Sequence, residues 1–545
     1  MSRGWSRRAL SLLPVVVACA LPLPGLWQAA GPPMEEGFML VFPERLLAGD
    51  LPHQDFLHLY GPGSLWLLAA VYWVFGTSLG AQRAVGYLQH LGVVFGAWSL
   101  LRPWGPWVSA AGATIAAIVI IPPSGLSALA WIGAVAFGLW AVRAGVEALE
   151  ADEGSRRRTR LLWAAGLLGG AALLYRLDLV VAVVASLGVV LWKLHGRDRR
   201  RLVVASLVGV SPYLVHLVTV GPAEVVRGMV IEPVFELRGG RALPLPPNPH
   251  DFDGFLQRAG TLDEPPWPFP APPGPLQLGL WLLVLVVGGG LLLVAGRRCA
   301  RDGRPRLLVM AAFAVGLFPQ ALQRADSTHL AWVSCVTLAF LPAAVVELWP
   351  TRPADAPRRL RTGVALAVPA LCLLALVPHF TLRGYVEATG QTFGYRHNAQ
   401  SMRYEGRVFR YARPDAVEAV NALLPLVDEL TEPGDRLFVG PGDLRVTPYS
   451  EAYLYYLLPD LTPATRYIEM DPGVANAPDS GLADELRSAD VAILSSIRDD
   501  WNEPNDSVLD GPDEPNEVLA EDFCLVASYG EGLFGHALFE VYDRC

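Results

Sequence analysis

As far as residue 380 the chain alternates long apolar stretches with short arginine-rich ones. Apolar runs lie at about 9–30, 84–101, 104–121, 125–143, 161–176, 178–194, 202–220, 276–296, 307–323, 329–349 and 363–380. At 1.5 Å per residue these lengths reach or approach the roughly 30 Å hydrocarbon core of a bilayer, so the pattern predicts about eleven transmembrane helices. The pair between Leu161 and Leu194 also reads as one broken unit. The run Ser64 to Phe75, about 12 residues long, is too short to cross and predicts an interfacial helix lying on the membrane. From residue 384 the period shortens. DAVEAVNALLPLVDELTEPGDRLFVGPG reads as an amphipathic helix, a turn and a short apolar strand, and EAYLYYLLPD, RYIEM, LADELRSADVAILSS and LFGHALFEVYD continue the alternation. The predicted fold class is an α-helical polytopic membrane protein over residues 1–383, followed by a soluble α/β domain over residues 384–545.

Composition agrees: 545 residues at 52% hydrophobic, with mean hydropathy +0.34, are too apolar for a soluble globule of this size. Residues 384–545 carry about 30 acids against about 11 arginines, whereas the rest is net positive by about 10. The positive charge lies in short clusters between apolar runs, which excludes the continuous basic face of a nucleic-acid binder. Lys193 is the only lysine, a bias that points to a GC-rich bacterial, actinobacterial-type genome. Short loops rich in arginine stay cytoplasmic. Arg3, Arg7 and Arg8 put the N-terminus inside. With the Ser64 segment not crossing, Arg102, SRRRTR (155–160), KLHGRDRRR (193–201), RRCARDGRPR (297–306) and TRPADAPRRLRT (351–362) all fall on that same side. The acidic tail is then expected outside, in the cell envelope. RGWSRR, the first apolar run and QAAG also resemble a signal peptide; a retained first helix is the expectation.

This topology sorts the polar residues. On the outer face it collects Glu35, Glu36, Asp50, His53, Asp55, His58 and Tyr60 in a first loop (31–83), Arg176 and Asp178 in LLYRLDLV, Arg324, Asp326 and His329 in ALQRADSTHL, and a loop over 221–275. Ionisable groups at span ends are costly unless paired or functional. Glu35 and Glu36 read either as favourable charges at the start of a helix, EGFMLVFPERLLAG, which looks amphipathic, or as a general base in a partly dry cleft. Asp55 offers the same choice against an Asx turn. His53 and His58 stand at a spacing that fits no specific metal motif, and a divalent metal is not expected. Arg176–Asp178 and Arg324–Asp326 are either helix-ending ion pairs or arginines set to grip a phosphate, with His329 one turn beyond Asp326 if a helix begins there.

The order EEGFMLVFPERLLAGDLPHQDF, then HLYGPG, then LWLLAAVYWVF resembles the GT-C superfamily of membrane glycosyltransferases, the polyprenyl-phosphate-sugar-dependent enzymes that include protein mannosyltransferases and the aminoarabinose transferase of lipid A. In that family the first outer loop opens on an acidic pair whose first member is usually aspartate; here Glu35 occupies it. The resemblance implies transfer of a sugar from a polyprenyl-phosphate-linked donor to a glycan, lipid or protein acceptor at the outer face. Glu35, Glu36 or Asp55 would take the acceptor proton, Arg176 and Arg324 would receive the departing phosphate, and His58, Tyr60, Asp178, Asp326 and His329 would position the substrates. No organic cofactor is implied.

The stretch 241–275 is proline-rich and reads as a stiff connection or a flexible cover over the site. FVGPGD lacks the spacing of a nucleotide fingerprint, and WNEPNDSVLDGPDEPNE reads as a solvated loop. Cys19, Cys299, Cys335 and Cys372 lie in or near spans, whereas Cys524 and Cys545 share the outer domain and are expected to bond. A transporter or lipid flippase, and a non-catalytic envelope scaffold, are the competing classes. A transporter places ionisable residues near the middle of several spans, often in paired repeats, and neither is visible here.

Overall fold

A computed structural model describes residues 2–246, 274–349, 358–373, 382–395, 399–499, 503–532 and 536–545. Among the described residues eight helices are long and apolar enough to cross a membrane: Leu10–Gln28, Leu79–Trp104, Pro106–Ser124, Ala130–Glu150, Gly196–Val220, Leu276–Arg301, Arg306–Gln323 and Ser327–Leu348. Helices also occupy Arg156–Tyr175, Val180–Lys193 and Arg358–Leu371, where the sequence pattern places its remaining runs. The first of these is lengthened by the arginine-rich RRRTR turn, and the other two are shorter than a full span. The pair around Leu161–Leu194 is two helices, broken where Arg176 turns extended at φ −143°. The protein is thus a multi-pass membrane protein.

The helices run between two chemically different ends. At one end Arg158 bonds Asp198, Arg306 bonds Glu150 and Arg304 bonds Glu347, so the basic loops 155–160, 193–201 and 297–306 meet the C-terminal ends of two spans. Cations there complement the helix dipoles. The other end gathers Leu129–Trp131, Arg176, Arg324 and the first loop. Its short helix Gly63–Phe75 leaves Trp73, Val74 and Phe75 exposed, an apolar edge of the kind that lies in a membrane interface.

The first-loop helix Pro33–Ala48 departs from the amphipathic expectation: Glu36 to Pro43 are buried without interruption. One cause is the C-terminal domain. Phe38, Met39 and Phe42 share a core with Met402, Phe409, Val420, Tyr453 and Leu454. Gly37 permits the approach, since a Cβ there would lie 3.0 Å from the Tyr453 backbone nitrogen.

The domain itself holds a hairpin, β1 (Gln400–Tyr404) with β2 (Arg407–Tyr411), and a five-stranded sheet. The sheet is built from β3 (Arg436–Pro441), β4 (Thr462–Pro463), β5 (Val491–Ser495), β6 (Phe523–Glu531) and β7 (Ala537–Arg544), ordered β4-β3-β5-β7-β6. β3 pairs in parallel with β4 and β5, and β7 is antiparallel to β5 and β6. RYIEM is not a strand. It lies in turns, with Met470 at φ +51°. The helix Arg383–Thr392 packs on the bundle, where Tyr385 and Thr392 donate to the carbonyls of Ala18 and Leu21. Cys524 and Cys545 are bonded, their Cα atoms 5.1 Å apart. The expected cover over the site falls mostly on residues 247–273, outside the described residues.

Candidate active site

Where the bundle, the first loop and the C-terminal domain meet there is a cavity of about 480 Å³. Its walls include Glu35, Tyr60, Trp131, Arg176, Arg241, Arg324, His329, Trp332, Tyr449, Glu469 and Arg498. Residues as far apart in sequence as Glu35 and Arg498, in three structural layers, thus face one space.

The HLYGPG motif explains how Tyr60 arrives there. A Cβ at Gly61 would lie 2.1 Å from the Leu174 carbonyl oxygen, and the Gly61 N–H donates to the Tyr175 carbonyl at 3.2 Å. The loop therefore lies flat against the end of the Arg156–Tyr175 helix. That contact sets the Tyr60 ring 4.0 Å from the Arg176 guanidinium carbon, which also faces Trp131 at 5.4 Å. Asp178 holds the other side of the same guanidinium, accepting from Nε at 3.0 Å and Nη2 at 2.5 Å. Arg176 is buried, and its plane is fixed by ring and carboxylate together.

Arg324 is fixed in the same manner. Its Nε donates to Asp326 at 3.1 Å, its Nη1 to the Arg241 carbonyl at 2.7 Å, and its Nη2 to Glu503. Asp326 caps the helix that begins at Ser327, accepting from the His329 N–H at 2.8 Å and lying 2.9 Å from its Nδ1. His329 stacks toward Trp332, which lies along Trp131. Five arginines line the cavity: Arg176, Arg241, Arg324, Arg413 and Arg498. Their carboxylate partners Asp178, Asp471, Asp326 with Glu503, Asp415 and Glu451 stand out of the lining. Buried charge is tolerated only when paired; here pairing from behind leaves guanidinium edges turned to the cavity.

The three candidate acids separate. Glu35 lines the cavity and is half-buried. Burial raises its carboxyl above the usual range, against the pull of Arg498 and Arg241. Glu36 turns away. Its two oxygens accept from Arg83 Nε at 2.7 Å and Nη2 at 2.8 Å, both side chains being essentially inaccessible. Asp55 accepts from the Leu51 N–H at 2.7 Å, closing the turn behind it rather than forming the expected Asx turn, and is absent from the walls. His58 also stays behind the wall, edge-on to Tyr60, and neither of its ring nitrogens has a well-formed hydrogen bond among the described residues. His53 lies beside it, Nδ1 2.8 Å from His216 Nε2. Burial, with His216 adjacent, pushes His53 down to about 3, so it is neutral at physiological pH. Among the described residues no group of three or more His, Cys, Asp and Glu is arranged to hold a metal ion.

Sequence reasoning missed Arg241, Tyr449, Glu469 and Arg498. Arg241 comes from the described start of the 221–275 loop and lies 3.5 Å from Asp471. The other three come from the C-terminal domain. Tyr449 and Met470 both adopt positive φ, +75° and +51°, and are clasped by the Tyr449 N–H donating to the Met470 carbonyl at 3.1 Å. Left-handed backbone at bulky residues is strained and persists where surrounding structure holds it, often at functional sites.

The sequence matches no protein-family model and no curated protein. The fold is similar to the crystal structure of ArnT from Cupriavidus metallidurans bound to undecaprenyl phosphate, at 15% identity and TM-score 0.49, over 99% of this chain and 98% of that one. It is similar to the Archaeoglobus fulgidus oligosaccharyltransferase in the apo form, at 13% identity and TM-score 0.46, over 90% of this chain and 69% of that one. It is also similar to the arabinofuranosyltransferase AftD from mycobacteria, at 16% identity and TM-score 0.40, over 98% and 40%.

Proposed function

We propose that the protein is an integral membrane glycosyltransferase that moves a sugar from a polyprenyl-phosphate-linked donor to a cell-envelope acceptor. One observation carries the reading: a half-buried carboxylate, Glu35, shares a membrane-end cavity with arginines held from behind and with an aromatic wall of Tyr60, Trp131 and Trp332. The EEGF and HLYGPG motifs of the first loop support it, because the helix and turn they form deliver Glu35 and Tyr60 to that cavity.

In this reading the acceptor hydroxyl attacks the anomeric carbon and gives its proton to the Glu35 carboxylate. The bond from that carbon to the phosphate oxygen breaks, and the lipid phosphate departs as an anion. Arg176 and Arg324, together with Arg241, meet the charge as it develops. The leaving group needs positive charge rather than a proton, which suits arginine. The lipid chain would lie among the spans while the sugar stands in the cavity.

The clustering of basic loops at the opposite end favours an orientation with that end cytoplasmic and the C-terminal domain outside. The ionisable residues that line the cavity come from the ends of the spans and from the C-terminal domain rather than from mid-span, which favours an enzyme over a transporter. Consumption of a polyprenyl-phosphate-linked sugar by the purified protein tests the proposal. Turnover by the wild type, abolished in Glu35→Gln and retained in Asp55→Asn, is expected. Undiminished turnover in Glu35→Gln would remove the assigned base.

A further inference from the structure

Glu469 enters the cavity from the C-terminal domain with no part in the chemistry above. It lines the wall, is 8% exposed, and its carboxyl makes no hydrogen bond or ion pair among the described residues. A carboxyl so buried and unpartnered, turned into a polar cavity, is costly unless something that enters the cavity bonds it. We propose that Glu469 bonds hydroxyls of the donor's sugar, so that the C-terminal domain helps to select which polyprenyl-linked sugar is accepted. This rests on the glycosyltransferase reading.

Three further observations support the assignment. The backbone presents Glu469 rigidly. Its carbonyl accepts from the Ser450 N–H at 3.2 Å, and the next residue, Met470, is one of the two left-handed residues clasped together. The charges around it are uneven. Arg241 favours the carboxylate, but burial, Asp471 beside it and Glu35 across the cavity all oppose that form, so its carboxyl is raised well above the usual range. A carboxyl accepts from a hydroxyl in either form and in its protonated form also donates, which matches a sugar hydroxyl, a donor and acceptor in one group. The placement also fits. The arginines take the phosphate end, Glu35 the acceptor hydroxyl, and the sugar must lie between them, where an aromatic wall offers its faces.

The role predicts a difference between two ligands. Binding to the full-length protein in nanodiscs would be measured for undecaprenyl phosphate alone and for undecaprenyl phosphate carrying glucose, mannose, galactose or arabinose. Glu469→Ala is expected to weaken at least one sugar-bearing lipid by about tenfold, the loss of one or two hydrogen bonds, while bare undecaprenyl phosphate binds as to the wild type. Glu469→Gln, which keeps a donor and an acceptor, should recover most of that loss. Equal weakening of bare and sugar-bearing lipids, or no weakening of any, overturns the inference and leaves the glycosyltransferase reading standing. Wild-type protein that binds no lipid phosphate overturns that reading, and the inference with it. Arg324→Ala separates the two from the other side, because it should weaken the bare and the sugar-bearing lipids alike.

Discussion

Replacing Glu36 by glutamine removes a charge without removing volume, and it separates the two adjacent acids of the first loop. The Glu36 carboxylate receives two charge-assisted bonds from Arg83, at 2.7 and 2.8 Å, and the two side chains are 0% and 1% exposed. The remaining guanidinium nitrogen, Nη1, donates to the carbonyls of Leu26 and Trp27 at 3.2 and 2.7 Å. The pair therefore ties the end of the first helix, the first-loop helix and the Leu79–Leu101 helix at one point. In Glu36→Gln the guanidinium stays buried with neutral acceptors only. An uncompensated buried charge costs about 3–5 kcal/mol, against a whole-protein stability of roughly 5–15 kcal/mol. The thermal midpoint of the purified protein, followed by tryptophan fluorescence, should fall sharply. Turnover of a polyprenyl-linked sugar, measured well below that midpoint, should persist. Replacing both partners by methionine should recover most of the lost stability, because no charge is then left unpaired. A Glu36→Gln protein with the wild-type midpoint and no turnover would refute this reasoning and move the base from Glu35 to Glu36.

The converse holds for Glu35. Glu35→Gln should lower turnover by about two to four orders of magnitude with little change in midpoint. Because burial raises the Glu35 carboxyl and a base acts only when deprotonated, wild-type kcat should fall as pH is lowered through a value above 4.5, a limb that Glu35→Gln should lack. Arg176→Lys keeps the charge but loses the planar contact with Tyr60 and the paired hydrogen bonds to Asp178, so affinity for undecaprenyl phosphate should drop by about tenfold in a binding titration. Gly61→Ala places a methyl group against the Leu174 carbonyl and should destabilise by about 1–3 kcal/mol, read from the midpoint. Cys524→Ser opens a loop of sequence separation 21 and should weaken the C-terminal domain by about 3 kcal/mol, seen as faster proteolysis at β6 and β7.

How much of this was legible depended on the range of the interaction involved. Span positions follow from local hydropathy, so the apolar runs and the observed helices overlap throughout, with boundaries that differ by up to about seven residues, while the end expected at 380 lies outside the described residues. Arg176 and Arg324 were readable because each stands with an acid at a span end, where an unpaired charge would be out of place. Which of Glu35 and Glu36 faces the cavity was not readable. Neighbours on a helix point about 100° apart, so only one can face a given space, and the decision is made by Arg83, 47 residues downstream. The expectation that the first-loop helix is amphipathic failed for a related reason. Its second buried face is covered by residues beyond 400. RYIEM looked like a strand because its apolar alternation is strand-like, yet its backbone turns at Met470, a residue type that gives no sign of left-handed geometry.

The missed residues share one origin. Tyr449, Glu469 and Arg498 become part of the cavity because the first loop docks on the C-terminal domain, with Phe38, Met39 and Phe42 in its core and Glu44 bonded to Arg407. A docked domain does two things that a span end cannot. It lowers the water content over Glu35, which is the physical cause of that carboxyl's raised proton affinity. It also supplies Glu451 and Asp471 to stand behind Arg498 and Arg241, so that these arginines remain charged while buried. The tail that composition marks as a separate acidic, soluble unit is therefore one wall of the cavity, and part of its surplus of acids is accounted for by the arginines it faces.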